Sequence, residues 1–487
     1  MRKIFCCFGL MLGFFMAVNA QSPNIILVVT DDQGMEMLGC YGDKNAVTPN
    51  IDKLAAEGIK FNRAYCTTPS CSPSRSVILT GLHNHKNGQY GLGHSVYHFR
   101  THESVKSLPV LLSSAGYYTM HTGKLHVYPK ELYKFDASIE TGANNPVKMV
   151  ANFKEMMAQK PVDKPFFLYF ATTDPHHAIG PNKSLPYAPN RFGNIDVGHE
   201  GVNELIYDPE KIKVPFYLPD IPEAKAELAQ YYQSIHRVDE GMGAMVKFLK
   251  EKGLYDNTII IYTSDNGAPF AGAKGNLYDA GVRLPFVVKT LKNGPKNKTT
   301  DAFVAFTDIT PTILDLAGVY KQSIERMKES AAKDWTWEYP STDTAFHGKS
   351  IKPILEDKAK EVQNEVYLSH SFHELYQFYP MRAVVTNQYK FIWNLAHPLQ
   401  KSKYRGRGES IMDAAIFNKK LENFGTRKVK DIEKRPEFEL YDLKNDPQEA
   451  KNLAYDKAYE ALLNEYKAKI WAFQKNTGDS FYKMNEE

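Results

Sequence analysis

The sequence predicts an α/β fold: a large, mostly parallel central sheet flanked by helices, plus a smaller C-terminal antiparallel α+β unit. Three observations carry that expectation. Short β-branched and aromatic runs alternate with stretches of helical periodicity, the pattern of strand–helix–strand units. Ionisable residues stand directly after four of those runs, where open α/β sheets place their ligands. Beyond about residue 375 the pattern changes to paired short strands and one closing helix.

The elements follow in order. Asn24–Thr30 is a β-branched run of the kind buried on both faces, and it ends in Asp31-Asp32. Residues 49–57 read as a helix with Thr48 as N-cap, Pro49 in the first turn and Gly58 as the stop. A second helix covers 107–115 and stops at Gly116; a strand over 117–122 then leads into Gly123-Lys124-Leu125-His126. Residues 165–172 form an apolar strand ending at Asp174-Pro175-His176-His177. One long helix spans 223–252, a strand over 258–263 ends at Ser264-Asp265-Asn266-Gly267, and a helix covers 310–317 with Pro311 in its first turn. In the C-terminal unit, 381–395 holds two strands around Thr386-Asn387-Gln388, and 400–407 is a basic loop. A strand over 438–443, a turn at Asn445-Asp446-Pro447 and a helix over 458–474 complete it. The expected division is thus 1–20, 21–375 and 376–487.

Residues 1–20 are an export signal by pattern. Arg2 and Lys3 precede an apolar run from Ile4 to Val18, and Val18-Asn19-Ala20 is a small-residue cleavage site. An uncleaved anchor is the alternative, but the run falls short of the ~20 residues that span a bilayer. No cysteine stands at the cleavage point for a lipid, and no later apolar run is long enough to cross a membrane. The chain is therefore expected to be exported, to the periplasm or beyond, without stable membrane association. The mature part keeps Cys40, Cys66 and Cys71, which allow at most one bridge and leave one thiol over.

Composition excludes two broad classes. Of 487 residues, 43% are hydrophobic and 24% charged, so global disorder is ruled out. Lys+Arg number 60 against 56 Asp+Glu, a net charge of +4, too balanced for a protein whose main task is binding a nucleic-acid backbone. That balance leaves room for a local basic pocket that takes a small anion.

Asp31, Asp32, Asp265 and Asn266 are hard oxygen donors at two strand ends. Adjacent carboxylates repel unless a cation lies between them, and an oxygen-only set suits Ca²⁺ or Mg²⁺ rather than zinc. Read alone, both segments serve equally well as solvated turns. The sharper signal is Cys71-Ser72-Pro73-Ser74-Arg75 followed by Ser76-Val77-Ile78-Leu79-Thr80-Gly81. C-x-P-x-R with Thr-Gly at this spacing resembles the signature of the sulfatase family.

The resemblance covers essentially the whole mature chain. Asp31-Asp32-Gln33-Gly34, Gly123-Lys124-Leu125-His126, Asp174-Pro175-His176 and Ser264-Asp265-Asn266-Gly267 are similar to the family's pattern in order and context. So are Lys274 ahead of Asp279-Ala280-Gly281-Val282-Arg283-Leu284-Pro285, and the tail Glu439-Leu440-Tyr441-Asp442-Leu443 with Asp446-Pro447-Gln448-Glu449 and Asn452-Leu453-Ala454. A narrower resemblance, to the sulfamidase branch that acts on N-sulfated glucosamine, rests on 70–75, 81–92, Tyr97-His98-Phe99, Ser107-Leu108-Pro109, 308–315, and His373-Glu374 with Tyr379-Pro380-Met381-Arg382. Lys274 departs from that branch, whose members in higher animals carry Arg there; Lys keeps the charge and gives up bidentate geometry.

The resemblance implies an alkaline-phosphatase-like sandwich and a sulfohydrolase. It implies that a separate formylglycine-generating enzyme oxidises Cys71 to formylglycine before folding, which would account for the leftover thiol; a buried or bridged Cys71 is the alternative. Hydrated formylglycine offers one hydroxyl to attack sulfur and a second to expel sulfate, which Ser or Cys lacks. Ca²⁺ would be held by Asp31, Asp32, Asp265, Asn266 and the residue-71 diol. Arg75 would hold the diol and the metal-side charge, and Lys124 and Lys274 the sulfate oxygens. His126 would act as base near the nucleophile and His176 as the acid for the departing atom. A structural ion pair is the alternative for Arg75, solvent for the lysines and packing for the histidines. His373 and Glu374 would contact the sugar and Arg382 would support them; packing at the domain junction explains all three equally well.

The implied reaction is removal of the N-sulfate of glucosamine at the non-reducing end of a heparan- or heparin-derived glycan. Partners are then a sulfated glycosaminoglycan oligosaccharide or monosaccharide and the maturation enzyme, with no nucleic acid. An O-sulfatase on another sulfated sugar is the first alternative. A non-catalytic glycan-binding protein on the same scaffold is another, set against the retention of Cys71, Arg75 and the acidic set. A related phosphatase usually carries Thr or Ser and a two-metal site, whose extra His and Asp ligands are not apparent.

Overall fold

The computed structural model describes residues 22–178, 190–331, 346–399, 411 and 414–481. The expected export signal and the basic loop 400–407 lie outside the described residues. Eight strands form the main sheet: β1 (Asn24–Thr30), β2 (Ile59–Tyr65), β3 (Tyr118–Gly123), β4 (Ala137–Ile139), β5 (Phe166–Ala171), β6 (Thr258–Ser264), β7 (Arg283–Lys289) and β8 (Lys298–Ala305). Their spatial order is β4-β3-β5-β1-β6-β7-β2-β8, and β7 runs antiparallel to both neighbours while the other pairings are parallel.

Side-chain alternation explains the apolar run of β1. Ile25, Leu27 and Val29 enter one core, and Ile26 and Val28 enter the other. Helices Cys71–Thr80, Leu108–Ser113 and Ile309–Leu316 cover the first face; Pro49–Ala56, Pro146–Ala158 and Pro222–Glu251 cover the second. Both faces are buried, as a parallel sheet requires. The sequence pattern did not single out β8 because it is an edge strand: its first half alternates between half-buried and exposed polar residues, and only its last four are buried.

The second sheet holds β9 (Glu365–His370), β10 (Met381–Thr386), β11 (Tyr389–Asn394) and, after a short ribbon of β12 (Asn423–Phe424) and β13 (Arg427–Lys428), β14 (Phe438–Asp442). Its order is β14-β11-β10-β9, antiparallel throughout. It takes in β9, which lies before the expected division at 375/376. Helix Glu460–Thr477 closes this unit by packing Tyr466 and Ile470 against Val384, Phe391 and Leu440. No described helix is long and apolar enough to cross a membrane.

Two expectations are corrected or narrowed. Thr48 does precede the helix Pro49–Ala56, but its hydroxyl does not cap the backbone; it donates to Asp52 Oδ1 at 3.1 Å and accepts the Gly39 N–H at 3.0 Å. Arg382, expected to support His373 and Glu374 or else to pack at the domain junction, is fully buried and takes the packing role. It pairs with Asp479 (Nη2–Oδ1 2.9 Å) and donates from Nη1 to the His370 carbonyl at 3.1 Å. A buried guanidinium needs such partners, and here they tie β10 to the end of the last helix.

The same junction buries three imidazoles. The His83 and His85 rings stack at 5.4 Å, His347 lies 5.2 Å from His83, and Phe473 stands edge-on to His83 at 5.0 Å. Burial foremost pushes all three below the ordinary imidazole range, His85 to about 4. In the unfolded chain each binds a proton near pH ~6.5. Their stabilising contribution is thus complete above that pH and is lost as pH falls toward 4, with His85 alone accounting for up to ~3 kcal/mol. The thermal midpoint should therefore fall steeply between pH 6.5 and 4, and His85→Gln should flatten the fall. An equally steep profile in the variant would show that another group titrates.

Candidate active site

Sheet order gathers what the chain keeps apart. Strands β3, β5, β1 and β6 lie side by side, and their C-terminal ends deliver Lys124 and His126, His176, Asp31 and Asp32, and Asp265 and Asn266 to one edge. Because β7 runs the other way, the loop before it reaches the same edge and brings Lys274. Gly123 makes the first of these turns possible: its φ is +92°, and a Cβ there would stand 2.0 Å from the Ala171 carbonyl oxygen.

The helix Cys71–Thr80 turns the signature into geometry. Cys71 opens it, and Arg75, four residues on, faces the same side one turn later. Pro73 sits in the first turn, where its missing N–H costs nothing. Ser74 Oγ donates to the Asp265 carbonyl at 2.5 Å, which pins the helix to the end of β6. Gly81 ends the helix in the left-handed region at φ +69°, with Phe346 and Pro311 packed where a Cβ would be. The helix N-terminus, with its partial positive charge, lies at residue 71.

Three carboxylates meet there without solvent exposure, and three cations answer them. Arg75 bridges Asp265 (Nε–Oδ2 2.9 Å) and Asp31 (Nη2–Oδ2 3.2 Å) and also donates to the Tyr169 hydroxyl at 3.2 Å. Lys124 pairs with Asp31. Lys274 lies 2.5 Å from Asp32 Oδ1 and 3.0 Å from Cys71 Sγ. Burial alone would raise the Asp31 pKa, but Lys124, His176, Arg75 and Lys274 outweigh it and hold the carboxyl well below the usual range. Asp265, buried and beside Asp31, is pushed up to about 6. Burial raises the Cys71 thiol as well, so the unmodified side chain stays protonated and is a poor nucleophile.

The donor set fits a hard divalent cation. Asp32 Oδ2 and Asn266 Oδ1 are buried acceptors with no donor among the described residues. An oxygen of Asp31, an oxygen of Asp32, Cys71 Sγ and a His176 nitrogen all lie within 4.8 Å of one another. Asn266 Nδ2 donates to Asp32 Oδ1 at 2.7 Å, so its amide is held with the oxygen unused. Asp265 stands further back: its oxygens accept from Arg75 at 2.9 Å and from the Asp32 N–H at 3.1 Å. Asp32 itself sits at φ +62°, a conformation few non-glycine residues adopt, held by Asp265 and by the Tyr231 hydroxyl on its carbonyl at 2.7 Å.

The histidines differ in their partners. His176 Nδ1 donates to the His177 carbonyl at 2.7 Å, which leaves Nε2 toward the carboxylates, 3.7 Å from Asp32 Oδ2. Burial lowers its pKa to about 4. His126 Nε2 is 2.7 Å from His94 Nδ1, and His126 Nδ1 is buried without a partner among the described residues. The His373 ring meets Ser70 Oγ at 2.8 Å, directly before the helix Cys71–Thr80, whereas Glu374 is half-buried on the following loop. The structure thus brings together Asp31, Asp32, Cys71, Arg75, Lys124, His176, Asp265, Asn266 and Lys274, with His373 at the wall and Arg382 elsewhere. Sequence reasoning missed Tyr169, Ser70 and His94, whose roles depend on long-range neighbours.

The loop carrying Lys274 is held largely by the second sheet. Asn276 Nδ2 donates to the Lys274 carbonyl at 2.9 Å while its own oxygen accepts from Arg435. The Tyr278 hydroxyl donates to Glu439 and the Asp279 N–H to Glu449, each at 2.7 Å, and Lys390 bridges Asp279 and Glu449.

The family model described as Sulfatase matches residues 23–319. The chain is similar to N-sulphoglucosamine sulphohydrolase of Homo sapiens, 33% identical over 97% of this chain and 93% of that protein. It is 25% identical to N-acetylglucosamine-6-O-sulfatase of Bacteroides thetaiotaomicron over 95% of this chain and 88% of the other. A structure solved in complex with its substrate D-glucosamine-2-N,6-O-disulfate superposes with a TM-score of 0.62 at 22% identity, covering 94% of this chain and 99% of that one.

Arg75 is the cation with two carboxylate partners, so removing it leaves buried charge unanswered. Arg75→Met should destabilise the fold by about 3–5 kcal/mol in urea titration, and adding Asp265→Asn should restore part of that. A loss below about 1 kcal/mol would mean that the carboxylates are not charged together in the folded chain.

Proposed function

The chain belongs to the sulfatase family, and from that premise we propose that it removes the N-sulfate of glucosamine at the non-reducing end of heparan- or heparin-derived glycans. It is a sulfatase; the sugar and the bond cleaved are the proposal. One observation carries it: Cys71, Lys274, Lys124 and His176 surround the buried Asp31–Asp32 pair in a single cluster, with Lys124 and His176 on its solvent side. The whole-length likeness to a sulphohydrolase of N-sulphoglucosamine supports the choice of nitrogen as the leaving atom.

In this reading Asp31, Asp32, Asp265 and Asn266 hold Ca²⁺, and position 71 carries formylglycine; together the two supply a hydroxyl that is nucleophilic at neutral pH. Lys124 and Lys274 neutralise the sulfate oxygens in a site dry enough to make each charge count. Arg75 keeps Asp31 and Asp265 oriented and, one turn after residue 71, would hold the diol and the metal-side charge. An amide anion is a very poor leaving group, so the departing nitrogen must be protonated. His176 is placed for that proton: its Nδ1 is fixed on the His177 carbonyl, which reserves Nε2 for the pocket, and because burial lowers its pKa to about 4, Nε2 becomes the acid when the negative charge of a bound sulfate raises that pKa again. His126, fixed by His94, receives the nucleophile's proton at Nδ1. Cys71 is only 2% exposed, which supports its conversion by a formylglycine-generating enzyme before folding, on a chain exported through its first twenty residues.

Likeness to a 6-O-sulfatase of N-acetylglucosamine favours a second reading, an O-sulfatase with the same sulfate-side geometry and a different leaving atom. A sulfate-release assay on N-sulfoglucosamine and glucosamine 6-O-sulfate separates them. The enzyme carrying formylglycine should release sulfate from the first; release from the second alone would establish the O-sulfatase. His176→Ala should slow N-desulfation by about two to four orders of magnitude. Cys71→Ala should abolish turnover, and peptide mass spectrometry of active enzyme should find formylglycine at position 71. Stoichiometric zinc in place of calcium on metal analysis would overturn the cation assignment.

A further inference from the structure

A second basic pocket lies in the C-terminal unit, beside the segment that carries Lys274. It is a cavity of about 570 Å³, and Arg427, Lys428, Lys434 and Arg435 line it against only two carboxylates, Asp431 and Glu439. None of its lining residues belongs to the cluster around Cys71. Arg435 touches both regions, because it donates to Asn276, which holds the Lys274 carbonyl.

The lining is arranged for an anion. Glu439 accepts from the Tyr278 and Tyr441 hydroxyls and from Asn394 Nδ2 and forms no direct ion pair with the cations, although Arg435 and Arg427 lie near enough to hold its carboxyl below the usual range. Arg427 lies 3.3 Å over the Tyr278 ring, and Arg435 lies 4.8 Å over the same ring. None of the four cations forms a salt bridge with a described residue. Two buried donors, Arg435 Nε and Thr426 Oγ1, have no acceptor among the described residues. Unmet donors beside four cations that make no direct ion pair, with one nearby carboxylate shared between two of them, suit an oxyanion, since leaving the donors unmet carries a desolvation cost. Tyr455, largely exposed at the rim, offers a flat apolar face of the kind that stacks on the C–H face of a sugar ring.

We propose that this cavity binds a sulfated or carboxylated sugar unit of a glycan chain, apart from the unit whose sulfate is cleaved. The inference rests on the reading that the substrate is a sulfated glycan, and it adds a second point of attachment to that chain. A monosaccharide would engage the catalytic pocket alone, whereas an oligosaccharide long enough to reach both would gain affinity from the second contact.

The test is fluorescence anisotropy with a labelled heparin-derived octasaccharide and full-length Cys71→Ala protein, which binds without turnover. Lys428 and Lys434 are exposed, so Lys428→Ala/Lys434→Ala should fold normally. That pair should weaken octasaccharide binding about tenfold, and Thr426→Val, which changes no charge, should weaken it by a smaller factor. The equally exposed Lys358→Ala/Lys360→Ala pair, on another cavity, is the control for general charge loss and should change binding little. Unchanged affinity in the Lys428/Lys434 variant, or equal losses from both pairs, would overturn the proposal. Sulfate release from the monosaccharide tests the activity reading separately: its failure would leave this binding result standing, and the reverse holds as well.

Discussion

Three carboxylates held out of water at the ends of two adjacent strands are the constraint on which the rest of this structure turns. Asp31, Asp32 and Asp265 are fully buried, and Coulomb repulsion between them is felt at low effective dielectric. The fold answers from three directions. The signature helix supplies Arg75, the turn after β3 supplies Lys124, and the loop before the reversed strand supplies Lys274. Each arrives from a different part of the chain, so charge balance at the site and correct assembly of the sheet are one requirement. The two acceptors left over, on Asp32 and Asn266, mark where protein charge alone does not complete the arrangement.

The same pocket shows how the neutral groups are disciplined. Hydrogen bonds on one side of His176 and His126 decide which ring nitrogen is left without a hydrogen-bond partner among the described residues. Left-handed backbone at Asp32 and at His126 (φ +52°) aims side chains that an ordinary strand end would send elsewhere. Such conformations cost of order 1–3 kcal/mol each and persist where surrounding contacts over-determine them, as Tyr231 and Asp265 do for Asp32.

Much of this was legible in the sequence, and the reasons for the rest are physical. Strands β1, β3, β5 and β6 announced themselves because burial on both faces demands continuous apolar runs, and the polar residues after them marked the site edge. The gathering of Cys71, the acidic set and the cations at one place followed from short motifs whose spacing reflects one helical turn or one strand end. Arg382 shows the limit. Its motif left support of His373 and Glu374 and packing at the domain junction equally open; a buried guanidinium goes to its carboxylate partner, and Asp479 lies almost a hundred residues away in sequence with no local signal of its own. Tyr169 and His94 were invisible for the same reason: their contacts depend on which strands become neighbours. The edge strand β8 and the early start of the small sheet at β9 were hidden because half-exposed strands read like loops.

The clamp on the Lys274 loop has a consequence for biosynthesis. Arg435, Glu439 and Glu449 hold Asn276, Tyr278 and Asp279, and all three anchors come from the last part of the chain to be translated. A nascent chain can lay down most of the main sheet while the loop of one counter-cation keeps only its contacts within the main unit, such as the Gly275 N–H on the Pro69 carbonyl. Translation therefore delivers last the outer anchors of this loop, and a chain truncated by a premature stop ahead of residue 435 would carry an intact signature with its third cation held only from the inner side.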